Sequence, residues 1–437
     1  MMGKSNRNFF VLAAVFIICI FSPGFALPDN APGRRPPPLN KNSTLADFIT
    51  FGAVNNPGLE SAYYSWQSAL AEVAQAGALP DPVLSYSHYI KEVETKTGPQ
   101  KNRFGFAQTL PWYGKRGLKK DIALQNALVM EKKFEGKKQN LFYKIKKVWF
   151  ELYYLGQGLN SIYESLKILE DLEKIARYRF KTGHLSHASL IRLHIEEDQL
   201  KNRALSLKEQ KKSLMIKLNS LLNRDIYEDI PLPAKVPIPE LPYSFEELTH
   251  LMKKNSPLFR TAAVEEKKAG LSVKLARKAY YPDIKLGLDY IQTDNADGNI
   301  SESGKDPLIG TVTLNLPIWF NKYEASVNGA KQRHIAVRKK QNYIKNNLTD
   351  DLQMAYFNFT DSLRKIDLYE KSILPNAKEM LSVLQATFIS GSADFKQLLD
   401  ARQLCLKLSL EYERAYTDCR LYLAELSRLT GIDLTRP

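Results

Sequence analysis

The most informative property of this 437-residue sequence is what it lacks. Beyond the first two dozen residues it contains no run of about 20 apolar residues, so no later segment can cross a bilayer as a helix. Any part that enters a membrane must do so as β-strands, because unsatisfied backbone groups exclude other solutions there. Cysteine is nearly absent, with Cys19, Cys405 and Cys419 the three examples. The last two sit 14 residues apart on a stretch that reads as helix, about 21 Å apart and too far for one disulfide. A disulfide scaffold is therefore excluded. There is no HExxH, CxxC or GxSxG element and no phosphate-cradling glycine loop, so the enzyme classes built on them are not indicated and no cofactor is implied. With 44% hydrophobic and 25% charged residues, the chain is not broadly disordered.

The first residues read as an export signal. Lys4 and Arg7 form a basic start, Phe9 to Phe21 is apolar but short, and Gly24-Phe25-Ala26 suits cleavage after Ala26. The alternatives are an uncleaved anchor, or acylation at Cys19, which Ile18 argues against because a small residue is usual before such a cysteine. Cleavage after Ala26 lowers the formal charge from +15 to +13. Such a basic chain could meet anionic headgroups or anionic cargo. The simpler reading, preferred here, spreads its Lys and Arg over solvated helix faces.

The chain is duplicated. Asn56-Pro57-Gly58-Leu59 is echoed by Ser256-Pro257-Leu258-Phe259, and Pro80-Asp81 by Pro282-Asp283. Leu110-Pro111-Trp112 returns as Leu316-Pro317-Ile318, and Arg179 to Gly183 as Thr387 to Gly391. The offset drifts only from 200 (57 to 257) through 202 and 206 to 208 (183 to 391), which chance does not explain. These landmarks divide the chain into a signal peptide at 1–26, an extended leader at 27–55, a first repeat at 56–230, a proline-rich connector at 231–243 and a second repeat at 244–437.

Each repeat reads as helix, two strands, a very long helix, a break and a returning helix. Residues 115–178 lack proline and favour helix, which predicts a rod of roughly 96 Å, too long for a compact domain. Gly183 and Gly391 break the chain before helices over about 186–222 and 394–430, giving tall antiparallel hairpins. Four segments alternate with period two. Leu84, Tyr86, Phe104, Phe106, Leu286, Leu288, Val312 and Leu314 fall on apolar positions, with Leu316 continuing the last. That pattern suits a membrane barrel or an ordinary half-buried sheet. Four strands cannot enclose a lumen, so the membrane reading requires several copies.

These features resemble the TolC-like outer-membrane efflux factor family across about Leu59 to Leu434. The resemblance rests on the duplicated Pro-Asp strand openings, the restart glycines Gly183 and Gly391, and the stretch from Gly391 to Leu398-Leu399-Asp400-Ala401. Residues Val93 to Gln100, with Leu110 to Lys115, further resemble members that accompany heavy-metal resistance-nodulation-division pumps. The resemblance implies a mainly α protein with a membrane β-barrel completed by a homotrimer, a periplasmic helical tunnel, and an adaptor and inner-membrane pump as partners. The role implied is a passive export duct for heavy-metal cations or drugs, without enzymatic activity, contacting outer-membrane lipid and no nucleic acid.

By the same resemblance Asp400 occupies a pore-constriction position. Gln397, one turn earlier, departs from the family, where a second carboxylate is found. Arg192 stands at the equivalent distance from Gly183 and is placed to pair with Asp400 across a closed end. His184 and His187, at i, i+3 spacing, are the candidate metal ligands, set against solvated loop-tip histidines. Glu196, Glu197 and Asp198 read as a solvated acidic face. The alternative to the duct is a soluble periplasmic helical-hairpin adaptor or scaffold, although the β-rich flanks usual in adaptors are missing.

Overall fold

The computed structural model describes residues 38–40, 42–298, 301–391 and 394–434; the signal segment and Cys19 lie outside them. The described residues from 39 onward form one compact unit, and Pro38 is the sole described residue of the segment before it. Two short helices, α1 (Leu45–Asn55) and α2 (Pro57–Gly77), lead into strands β1 (Val83–Val93) and β2 (Gln100–Leu110). Helix α3 (Lys115–Lys181) runs 67 residues, about 100 Å, and returns as α4 (His187–Leu222). The second half repeats this order: α5 (Phe245–Asn255), α6 (Pro257–Lys278), β3 (Ile284–Thr293), β4 (Leu308–Leu314), α7 (Phe320–Leu368), α8 (Leu374–Ser390) and α9 (Phe395–Thr430). Arg224 to Tyr243, including the prolines of the connector, forms neither helix nor strand.

Residues 45–55 correct the extended leader read from sequence: they form α1. Its start is a capping box in which the Asp47 amide donates to Thr44 Oγ1 (3.4 Å) and the Thr44 amide donates to the Asp47 carboxylate (2.7 Å). Ser244 and Glu247 make the same reciprocal pair at α5, 200 residues on. In both halves a proline then opens the next helix, where its missing N–H costs nothing. Phe48 of α1 is fully buried against Trp149 of α3, with ring centroids 4.8 Å apart. Burying such a side chain is worth about 1.5–3 kcal/mol.

The strands form one antiparallel sheet in chain order, and Leu84 pairs with Phe106 as Leu286 pairs with Val312. Strand β4 ends at Leu314, so Leu316 lies past it, in the irregular segment that Pro317 imposes. The helices below keep the strand order, α2 against α3, α3 against α6 and α6 against α7. The second long helix is not continuous. A single π-helical turn at Tyr369–Ile373 separates α7 from α8, immediately before Pro375. Proline has no N–H to give and its ring crowds the carbonyl one turn back, and the wider turn relieves both. Leucine-rich packing joins α3 and α4 to α8 and α9 at the hairpin ends.

Candidate functional site

Two regions carry the candidate residues: the sheet and the free ends of the hairpins. In the sheet, directly paired residues share a face. Leu84, Tyr86, Phe104, Phe106, Leu286, Leu288, Val312 and Leu314 therefore share one face. Leu84 is 80% exposed and Val312 68%, so the chain itself leaves this face uncovered. Toward the loops the apolar band is crossed by a polar row, where Asn102 accepts from Tyr86 Oη (2.9 Å) and donates to Gln292 (2.8 Å), with the exposed Ile90 beyond it. Toward the helices Gln108 donates to the Pro80 carbonyl (2.8 Å). Past that boundary Tyr113, Leu316, Ile318, Trp319 and Phe320 are all exposed.

The opposite face carries Ser85, Ser87, Arg103, Thr109, Lys285, Asp289, Thr311 and Thr313, with Val83, Ile291 and Ile309 as apolar exceptions. Arg103 donates to both carboxylate oxygens of Asp289, at 3.1 and 2.9 Å, spanning β2 and β3. The outer strands β1 and β4 each have one neighbour, so each presents an unpaired backbone edge.

At the hairpin ends, Gly183 and Gly391 hold φ of +74° and +98°, the left-handed region that glycine enters without penalty. The guanidinium of Arg179 lies 4.4 Å over the Phe388 ring and donates to the Ile389 carbonyl at 3.0 Å, tying one hairpin tip to the other. Arg192 of α4 donates to Asp400 of α9 at 2.6 Å, with both side chains roughly half-exposed. Gln397 is exposed one turn before Asp400.

Several neighbours were not singled out by sequence reasoning. Glu196, read as part of a solvated acidic face, instead accepts a hydrogen bond from Gln403 across the hairpins. His194 bonds Glu173 at 2.8 Å, and with Arg177 it holds that carboxyl below the usual glutamate range. Arg402 is buried, donates to the Ser165 carbonyl at 2.7 Å and leaves Nη1 without a partner; burial pulls its guanidinium down to about 10. An arginine at an otherwise leucine-rich stretch of α9 was the available signal.

His184 hydrogen-bonds Thr182 at 3.1 Å and His187 packs against Phe180 at 5.6 Å, so the two imidazoles have separate neighbours. Among the described residues no three His, Cys, Asp or Glu side chains converge on a metal site. Cys405 donates to the Ala377 carbonyl (3.1 Å), while burial pushes the Cys419 thiol up to about 12. Both are free.

Residues 248–432 match the model of the outer membrane efflux protein family. The cobalt-zinc-cadmium resistance protein CzcC of Cupriavidus metallidurans is 20% identical over 417 residues, covering 90% of this chain and 93% of that protein. The outer membrane protein VceC of Vibrio cholerae superposes with a TM-score of 0.75 at 15% identity, over 89% of this chain and 96% of its own. CusC, a transmembrane channel, superposes at 0.76 with 16% identity, over 89% and 92%. These superpositions show a common fold.

Proposed function

We infer that this chain, a member of the outer membrane efflux protein family, is the outer-membrane duct of a tripartite efflux pump. One observation carries the reading. The four-stranded sheet exposes an apolar face and a polar face at once, and leaves both edges unpaired. Water-soluble proteins avoid so large an exposed apolar face, above all beside two unprotected strand edges. Pairing the edges of several copies resolves both, turning the apolar face to lipid and the polar face to a lumen. Two copies would give eight strands and three give twelve; a homotrimer agrees with the family resemblance. Trp319, Phe320 and Tyr113 then sit where aromatic side chains anchor a barrel at the bilayer interface.

The long hairpins descend into the periplasm, their tips facing an adaptor and an inner-membrane pump. Asp400, Gln397 and Arg192 form the constriction at that end. The Arg192–Asp400 pair joins the two hairpins there and acts as a latch. Metal cations are one cargo class, by analogy with the cobalt-zinc-cadmium resistance relative, and drugs are the other that the family resemblance implies.

Native mass spectrometry of protein extracted by detergent from the outer-membrane fraction tests this reading. A trimer is expected. A monomer or dimer found in the soluble periplasm would discard the barrel and favour a helical scaffold.

A further inference from the structure

A pocket of about 870 Å³ opens where α3, α6 and α7 meet beneath the sheet. Its ionic lining is Lys115, Lys119, Lys268 and Arg333 against two carboxylates, Glu265 and Asp283. Both carboxylates are already engaged. Lys115 donates to Asp283 at 2.8 Å, and Lys340 lies 3.7 Å from Glu265. Lys268 donates to the neutral Asn126 side chain at 2.8 Å, and Arg333 Nε to the Gly329 carbonyl at 3.3 Å. Among the described residues Lys119, Lys268 and Arg333 make no salt bridge, and the lining carries four cations against two carboxylates, an excess of two positive charges in one concavity.

The sheet register tells which side of the wall this is. Asp289, Gly287 and Lys285 occupy the polar face of β3. The same alternation, carried past the strand's start, puts Asp283 on that side. There its amide donates to the Asn315 side chain, and Asn315 also lines the pocket. Lys285, one step above Asp283, carries a further cation toward the sheet. The pocket therefore faces the side that the duct reading makes the lumen.

We propose that this pocket is an anion-binding station on the luminal wall, a ring of basic pockets that favours multivalent anionic solutes over bare divalent cations. The proposal rests on the duct reading and adds anionic solutes to the cargo classes named above. Rings of Lys and Arg are how pores select anions. Low-dielectric walls lined by one sign of charge raise the local concentration of counter-ions by about 10- to 1,000-fold. An ion held in a pocket of about 870 Å³ lies within roughly one Debye length, about 10 Å at 0.1 M salt, of the lining, so the cations there act on it together.

The test uses the full mature chain in planar bilayers at 0.1 M KCl. Tripolyphosphate is added at the helical end, and reversal potential is read in a KCl gradient. The wild type is expected to be blocked by tripolyphosphate and to prefer chloride. The triple variant Lys119→Gln, Lys268→Gln, Arg333→Gln should need about tenfold more tripolyphosphate and shift its reversal potential toward cation preference. Lys119→Glu alone, at an exposed position, should move both readouts the same way and guards against a misfolded triple variant. Lys208→Gln, Lys211→Gln, Lys212→Gln removes equal charge at a different pocket and should change neither. Pores from both pocket variants with unaltered block and potential would overturn the proposal, as would an equal shift in the remote control. Absence of any pores from the wild type would instead count against the duct itself.

Discussion

Arg192 and Asp400 stand 208 residues apart in the chain and 2.6 Å apart in space. That separation is also the offset of the two repeats at their tips, from Gly183 to Gly391. The pair is thus one position of a duplicated hairpin, carrying a base in one copy and an acid in the other. Equivalent residues meet where α4 and α9 run side by side, and opposite charges turn a meeting of equivalents into an attraction.

Because both side chains are roughly half-exposed, the Arg192–Asp400 bond contributes under about 1 kcal/mol to folding. Arg192→Ala is expected to leave thermal stability almost unchanged while raising resting conductance. Asp400→Asn is expected to weaken block by polyvalent cations added at the helical end. Single-channel recording checks both, and unchanged block would remove Asp400 from the constriction.

Leu286→Arg or Leu288→Arg should cost about 2–4 kcal/mol at mid-bilayer depth and prevent insertion. Outer-membrane levels by quantitative blotting read this out. Lys285→Ser, on the polar face next to Leu286, should insert normally.

Gly183→Ala should destabilise by about 1–2 kcal/mol, the penalty of a Cβ in the left-handed region. A Cβ there meets nothing within 4 Å, so the cost is conformational and not steric. Gly183→Asn should accordingly lose less than Ala, since Asn enters this region more readily. Urea midpoints of the two variants would decide it, and equal losses would argue for a crowding origin.

Glu173 carries a pH dependence of definite sign. Its carboxyl is held low by the hydrogen bond from His194 and then by Arg177. A glutamate in the unfolded chain titrates near about 4.3, so the contribution is complete above that pH and is lost as pH falls through the lower folded value. Glu173→Gln should flatten the pH dependence of the urea midpoint below about pH 4.3. Parallel curves for the two proteins would remove Glu173 from the acid response.

Much of this architecture was legible because long-range order left marks at fixed spacings. Proline at Pro57 and Pro257, glycine at Gly183 and Gly391, and period-two alternation from Leu84 onward each report a local backbone requirement. Helix α1 was missed because Thr44 and Asp47 make a quieter start signal than the proline twelve or so residues on. Pro375 was visible, but the sequence does not say whether a long helix breaks or widens at a proline; neighbouring packing decides. At the hairpin tips, counting from glycine brought Arg192 and Asp400 together. The Glu196–Gln403 bond was hidden because which faces of four helices meet depends on their rotation about their axes. The basic pocket was hidden for a related reason. Lysines on α3 and α6 look solvated one helix at a time, and become a cluster only when the helices lie edge to edge.

The shared order of strands and helices has a consequence for how copies would join. β2 with β3 and α3 with α6 form the junction between the repeats inside one chain. If copies close into a ring, β4 of one meets β1 of the next, and by duplication this seam imitates the internal one. The internal register pairs Gln108 with Leu286 and Phe106 with Leu288. Carrying β2 to β4 by 206 residues and β3 back to β1 by 202 pairs Leu314 with Leu84 and Val312 with Tyr86 across the seam. The chain therefore holds within itself a template for its own oligomeric interface, and a ring of three copies would approximate sixfold symmetry.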